Sequence, residues 1–92
     1  MKQLQKEFIG RGQVKGFRFT QLKKSNYSYI YKINTGSSEH FEVFLHIENR
    51  QFNCISYPQS NSFGIWAWTF STYELAINKM EEIDLRKEVF NG

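Results

Sequence analysis

The sequence predicts an α+β fold in which a four- to five-stranded antiparallel sheet, arranged as a meander, packs against one C-terminal helix. Two patterns support this prediction. Between residues 13 and 70, short segments alternate apolar and polar side chains with the two-residue period of a strand. After residue 72, apolar side chains recur at helical spacing. We predict strands over about 13–22, 27–33, 39–48, 52–57 and 63–70, and a helix over about 72–84.

The third predicted strand has the most regular alternation in the chain. Its apolar face runs through every second residue from Phe41 to Ile47, and its other face runs through the residues between them, from His40 to Glu48. Such a strand buries one face in the core and exposes the other to water. We therefore expect the helix to cover the face of Phe41, and we expect the face of His40 to be wet.

The last predicted strand leads directly into the helix. Ser71 and Glu74 have the spacing of a capping box, in which each side chain accepts a hydrogen bond from a backbone N–H group at the start of a helix. Period-2 alternation places Trp66 and Trp68 on one side of this strand. That side is either the face covered by the helix or a second, partly exposed aromatic surface. The sequence leaves both alternatives open.

Length and composition indicate a single domain spanning residues 1–92. Nine Phe, five Tyr and two Trp supply enough buried area for a core without a disulfide. Residues 1–8 are polar and form either a frayed lead-in or a short first strand. Cys54 is the only cysteine, which is typical of a reducing compartment. The chain begins without the apolar run of a signal peptide and has no apolar segment of membrane-spanning length. We expect a cytoplasmic protein, bacterial or phage-encoded, without a membrane partner.

Charge is distributed unevenly along the chain. Residues 1–38 carry eight basic side chains and one acidic, a net charge of +7, whereas residues 39–92 carry four basic and eight acidic, a net charge of −4. This asymmetry indicates an anionic partner for the basic half, although lopsided charge also serves solubility alone. The predicted partner is nucleic acid (RNA or DNA) or a nucleoprotein such as a nuclease complex. The candidate contact residues are Arg11, Lys15, Arg18, Lys23, Lys24 and Lys32.

Aromatic side chains accompany these basic residues and recur in the last strand. An exposed ring can stack on an unpaired base, which is worth about 1–3 kcal/mol per base. A small sheet also needs such rings for its core, and this explanation applies to most of them. The aromatic residues kept as candidate contacts are Tyr29, Trp66 and Trp68.

The residue pattern argues against an enzyme. In a strand, His40 and His46 lie about 20 Å apart, at ~3.3 Å per residue, so they cannot bind one metal ion together. Cys54 could meet His46 across a strand pair as nucleophile and base, but a lone Cys among aromatic residues is far more often part of the packing. The chain has no phosphate-binding glycine motif. We expect no catalytic activity, no cofactor and no metal site.

A strand leads into a capped helix through the segment Thr69-Phe70-Ser71-Thr72-Tyr73-Glu74-Leu75-Ala76. This segment resembles the strand-to-helix junction of AP2-type and integrase arm-type DNA-binding domains. The resemblance covers the last third of the chain. It implies a sheet packed on a C-terminal helix, with a basic sheet face opposite the helix that reads DNA. The tyrosine-rich strands, the extra strand pair and the lack of an arginine ladder depart from that pattern, so no contact residues are transferred.

Three functions fit these observations. In size and charge the chain is similar to phage-encoded inhibitors of bacterial RNA-guided nucleases (anti-CRISPR proteins), although it shares no motif with them. Such a protein would place its basic half near guide RNA and its acidic half against a basic nuclease surface. The alternatives are an AP2-like DNA-binding regulator and a protein–protein or self-association module, for example a homodimer, without a nucleic-acid role.

Overall fold

The computed structural model describes residues 1–91 and has the predicted α+β fold, a five-stranded antiparallel sheet with one C-terminal helix. Two short 3-10 turns lie at Gly12–Val14 and Ser60–Ser62. The strands and the helix are β1 (Glu7–Ile9), β2 (Arg18–Lys24), β3 (Ser28–Asn34), β4 (Glu39–Leu45), β5 (Glu48–Asn49), β6 (Cys54–Ile55), β7 (Ala67–Phe70) and α1 (Tyr73–Asn91).

The main sheet has the order β1-β2-β3-β4-β7, with every neighbouring pair antiparallel. The first four strands form the predicted meander. Residues 46–66, which we call the covering segment, leave the sheet after β4 and return as β7. The covering segment contains the small β5–β6 pair, which forms a separate sheet. The strand predicted over 52–57 is shortened to Cys54–Ile55, because Asn53 adopts a left-handed φ of 52°, and it lies outside the main sheet.

Turn residues also shorten other predicted strands. Gly12 and Gly16 have φ values of 64° and 84°, so the strand predicted from residue 13 begins at Arg18. Gly64 has a φ of 88°, and the strand predicted from residue 63 begins at Ala67. Positive φ is accessible to Gly at little cost, and these residues mark turns for that reason.

Of the two alternatives for residues 1–8, the structure shows the short strand. Strand β1 pairs with β2 through Phe8 opposite Phe19. Nearer the start of the chain, the Lys2 N–H donates a hydrogen bond to the Asn53 carbonyl at 2.9 Å, and the Lys2 carbonyl accepts one from the Ile55 N–H at 3.0 Å. Both partners belong to the covering segment. The N-terminal segment is thus fixed to both the sheet and its cover.

Helix α1 begins at Tyr73 and extends beyond the predicted end at residue 84. Its N-cap is Thr72, whose Oγ1 accepts a hydrogen bond from the Leu75 N–H at 3.2 Å. The predicted capping box of Ser71 and Glu74 is wrong, because the helix starts one residue later than that motif requires. Within residues 1–91, no helix is both long enough and apolar enough to cross a membrane.

The helix covers the sheet face that the sequence predicts. Ile30 and Val43 on the sheet are fully buried against Ala76, Met80 and Ile83 on the helix. Phe41, Leu45, Trp68 and Phe70 pack around this cluster. The predicted contact between the helix and the face of Phe41 is confirmed.

Hydrogen bonds to one helical carboxylate hold the helix to the turn between β2 and β3. Asp84 Oδ1 accepts from the Ser25 hydroxyl at 2.8 Å and from the Ser28 hydroxyl at 3.1 Å. Ser28 is fully buried, and these contacts satisfy a hydroxyl that would otherwise be costly to remove from water.

The opposite face of the sheet is buried as well. Its core joins seven buried side chains from β2, β3, β4, β6 and β7, with aromatic residues predominating: Phe19, Tyr29, Tyr31, Ile33, Phe44, Ile55 and Ala67. Side chains of the N-terminus and of the covering segment pack over this core, among them Leu4, Tyr57, Phe63 and Trp66. The expectation that the His40 face of β4 is wet is wrong, because the covering segment lies over that face.

Removing one side chain from the covering segment tests whether it is a structural layer. We predict that Ile55→Ala lowers the free energy of unfolding by about 2–5 kcal/mol, the usual cost of truncating a buried Ile. Ile55 is 4% exposed and belongs to the aromatic core. Urea unfolding followed by circular dichroism measures the change.

Phe52→Ala is the matched control, since Phe52 lies in the same segment but is 69% exposed. Its unfolding free energy should stay within about 0.5 kcal/mol of the wild type. Equal, small effects of both substitutions would show that the covering segment is not packed on the sheet.

Candidate functional site

Strand register assigns the predicted basic residues to faces of the sheet. Thr20 pairs with Lys32, and Lys23 pairs with Ile30. Residues paired across strands share a face, and Ile30 lies in the core beneath the helix. Lys23 and Lys32 therefore lie on the helix side of the sheet, and Arg18, two residues before Thr20, lies there too.

Much of this face on β1 and β2 is open to solvent, because the helix packs mainly on β3, β4 and β7. Ile9 is 53% exposed, and the side chain of Arg18 is 61% exposed. Lys23 is exposed and Lys32 is half-buried. We call this surface the basic wing and define it by Ile9, Arg18, Thr20, Lys23 and Lys32.

Arg11 and Lys15 lie in the loop that joins β1 to β2, and both are exposed. This loop adjoins the end of the wing at which Ile9 pairs with Arg18. Gly10 fits its position because a Cβ there would lie 2.4 Å from the Val14 carbonyl oxygen. The backbone at Gly10 thus packs closely against Val14 of the loop and Phe19 of β2, which leaves no room for a side chain.

Lys24 lies on the other face of the sheet. It pairs with Tyr29, its Nζ is 5.9 Å from the centroid of that ring, and it donates to Gln3 Oε1 at 3.1 Å. A bulge between Gln21 and Lys23 shifts the register by one residue and determines which lysine reaches which face. Five of the six predicted basic residues thus lie on or beside the wing, and Lys24 does not.

One carboxylate partly neutralises the wing. Glu7 Oε1 lies 3.0 Å from Arg18 Nη1, and both side chains are more than half exposed. An exposed ion pair of this kind is worth at most about 1 kcal/mol, and Arg18 can exchange it for another anion. With Lys23 and Lys32 beside it, the wing carries a net positive charge.

The three aromatic residues predicted as contacts lie in different environments and do not form one surface. Tyr29 is 1% exposed and stacks on Phe44, with ring centroids 5.4 Å apart, so it offers no surface to a base. Trp68 lies on the helix side, with Lys79 Nζ 4.2 Å from its ring centroid. Trp66 packs edge-on against Phe44 in the opposite core, at 6.4 Å.

The prediction that Trp66 and Trp68 share one side of a strand is wrong. Trp66 lies in the turn that precedes β7, and its carbonyl accepts a hydrogen bond from the Leu45 N–H at 3.0 Å. Period-2 alternation does not extend through a turn. Both indoles are half-buried, and they do not form a common aromatic surface.

The sheet face opposite the helix also differs from what the AP2-type resemblance implies. That face should be exposed and basic, whereas here it carries the aromatic core and its cover. The cations lie instead on the helix side, beyond the part of the sheet that the helix covers.

A cleft of about 1140 Å³ crosses the covered face from β1 to β7. The covering segment forms one wall, and β1 with its following loop forms the other. Residues that line it include Phe8, Arg11, Glu42, Tyr57, Phe63 and Thr69.

Glu42 lies in this cleft at the centre of β4, with its side chain 11% exposed. The Tyr57 hydroxyl donates to Glu42 Oε1 at 2.5 Å, and His40 Nε2 lies 3.7 Å from Oε2. Burial raises the pKa of the Glu42 carboxyl above its ordinary value, and Tyr57 and His40 lower it only in part. Burial and the neighbouring Glu42 charge also raise the pKa of Tyr57, so its hydroxyl keeps the proton that it donates.

The sequence pattern does not indicate that Glu42 is buried. Its place among the polar residues of β4 is typical of a wet face. The one contrary signal is Phe44, a large apolar side chain in the middle of that face, which is fully buried. Among the described residues, no cluster of three or more His, Cys, Asp or Glu side chains could hold a metal ion.

Comparisons with known proteins assign no family. No protein-family model matches the chain, and neither the curated proteins nor the solved structures contain a significant match.

The buried carboxyl makes stability depend on pH in a defined direction. Because its pKa is raised, the folded protein holds this proton more tightly than the unfolded chain does. The stability that this binding contributes is present below the unfolded pKa and is lost as pH rises through the folded pKa. We predict that the unfolding free energy of Glu42→Gln, relative to wild type, increases as pH rises above 4.5, the ordinary pKa of a glutamate carboxyl.

Urea unfolding at each pH measures this difference. Glu48→Gln, which removes an exposed carboxyl from β5, is the control substitution. A difference for Glu42→Gln that is flat, or that decreases as pH rises, would contradict the assignment of Glu42 as a desolvated carboxyl.

Proposed function

We propose that this protein is a non-enzymatic binding protein that engages nucleic acid, free or within a nucleoprotein, through the basic wing and the adjoining loop. The observation that carries the proposal is the placement of Arg18, Lys23 and Lys32 on one open sheet face. Arg11 and Lys15 add two exposed cations in the loop that adjoins this face, and Arg11 also lines the cleft.

Phosphate contacts supply the affinity in this proposal. Each cation that neutralises a phosphate releases a condensed counterion, so binding weakens steeply as salt increases. Arg18 and Lys23 are exposed, so both side chains can reach the phosphate backbone of a nucleic acid without a change in the packing of the protein. The overall charge of +3 adds a weak long-range attraction for polyanions.

The same geometry supports binding to the phosphate backbone of a nucleic acid, with little discrimination between base sequences. Sequence is read by contacts to base edges or by specific pockets, whereas phosphate contacts only position the partner. Tyr29 is buried, and the two Trp rings are engaged in separate packing contacts. The wing would therefore contact nucleic acid mainly through its basic side chains.

The narrower form of the proposal is inhibition of a bacterial RNA-guided nuclease. In that form the wing approaches guide RNA and the acidic end of α1 contacts the nuclease. Two of the acidic residues are engaged within the chain, because Asp84 accepts from Ser25 and Ser28 and Glu82 lies 3.3 Å from Arg86. The structure therefore supports the nucleic-acid contact more strongly than the nuclease contact.

Two adjacent lysines on opposite faces provide a matched test. We predict that Lys23→Gln weakens binding to a fluorescently labelled single-stranded RNA. The negative slope of log K, the association constant, against log salt should become shallower by roughly 0.7, the effect of one lost phosphate contact. Fluorescence anisotropy at several salt concentrations measures both quantities.

Lys24→Gln removes the same charge from the next residue but from the face away from the wing. It should change affinity and slope less than Lys23→Gln does. Equal effects of the two substitutions, or binding by the wild type that is insensitive to salt, would contradict the proposal.

Affinity capture from a bacterial lysate distinguishes the forms of the proposal. Capture of nucleic acid that ribonuclease or deoxyribonuclease abolishes favours direct binding. Capture of a nuclease that persists after nuclease treatment favours the inhibitor. Recovery of the chain alone, with a dimeric mass in solution, favours a self-association module and counts against both.

A further inference from the structure

The cleft over the covered face contains a carboxylate whose hydrogen-bonding capacity is not filled. An ionised carboxylate can accept about four hydrogen bonds. Glu42 Oε1 accepts from Tyr57, but Oε2 has no hydrogen bond among the described residues, since His40 Nε2 is 3.7 Å away. A mostly buried carboxylate, with one oxygen beyond hydrogen-bond distance of its neighbour His40, favours a ligand that donates hydrogen bonds and carries positive charge.

The walls of the cleft suit a flat cation. Phe8, Tyr57 and Phe63 line it, and aromatic rings attract guanidinium groups by cation–π and stacking contacts. A guanidinium presents several N–H groups in one plane, so it can bond to the carboxylate while it stacks on a ring.

Anionic ligands fit this cleft poorly. Glu42 lines it and would repel a phosphate, which disfavours a nucleotide. Arg11 also lines it, but Arg11 is exposed at the mouth, where water and salt screen its charge. The buried Glu42 carboxylate therefore dominates the inner part of the cleft.

The size of the cleft indicates that the cation belongs to a polypeptide. Its volume of about 1140 Å³ is far larger than one side chain requires. The opening runs from Phe8 on β1 to Thr69 on β7, long enough for several residues of an extended segment.

We propose that this cleft binds an arginine side chain of a partner polypeptide, with its guanidinium on the Glu42 carboxylate and against the aromatic walls. This inference does not rest on nucleic-acid binding, because Glu42 and Tyr57 lie on the face away from the wing.

The test uses N-acetyl-arginine amide as the probe, titrated into ¹⁵N-labelled protein and followed by amide chemical shifts. The expected result is saturable shifts at residues that line the cleft, with a dissociation constant on the order of 1 mM for so small a ligand. N-acetyl-citrulline amide, which has the same shape without the charge, should shift them at least tenfold less at equal concentration.

Glu42→Gln should weaken binding of the arginine probe at least tenfold, whereas Glu48→Gln, which lies outside the cleft, should leave it unchanged. The comparison of the two probes on wild-type protein stands even if Glu42→Gln does not fold. Equal shifts from arginine and citrulline probes, no shifts in the cleft, or preferential shifts from guanosine monophosphate would overturn the proposal.

Discussion

The structure depends on two central strands that are apolar on both faces. Strands β3 and β4 direct Ile30 and Val43 towards the helix and Tyr29, Tyr31 and Phe44 towards the other side, and all five are essentially inaccessible. A sheet of this kind needs a cover on each face. Helix α1 supplies one, and the covering segment with the N-terminus supplies the other. The candidate sites lie where these covers end: the basic wing beyond the helix, and the cleft between the covering segment and β1.

Periodic patterns in the sequence predict the central strands and the helix of this fold. The period-2 segments identify β2, β3 and β4 and their meander, and the 3.6-residue pattern after residue 72 identifies the helix and the face that it covers. The alternation is misleading in the covering segment, since its strands are two residues long and are joined by a turn in which Asn53 has a positive φ. The burial of Glu42 depends on Tyr57, fifteen residues away in the chain, and no local spacing indicates that contact.

The basic residues of the candidate site could be named from the sequence, but their division between the faces of the sheet could not. The excess of basic side chains in the first half of the chain is visible in the sequence, and five of the six predicted residues lie together. The bulge between Gln21 and Lys23 then places Lys23 on the wing and Lys24 on the opposite face. A bulge inserts one residue and reverses the alternation beyond it, so a strict two-residue period assigns both lysines wrongly. The same limit applies to Trp66, where a turn ends the alternation before β7.

The central functional claim is that the open part of the helix-side face is the surface that meets nucleic acid. Amide chemical shifts of ¹⁵N-labelled protein, recorded with and without a short single-stranded RNA at low salt, test it most directly. We expect the largest changes to fall on β1, β2 and residues 11–16, and to disappear when salt is added. Changes centred on α1 or on the covering segment, or the absence of any change, would contradict it.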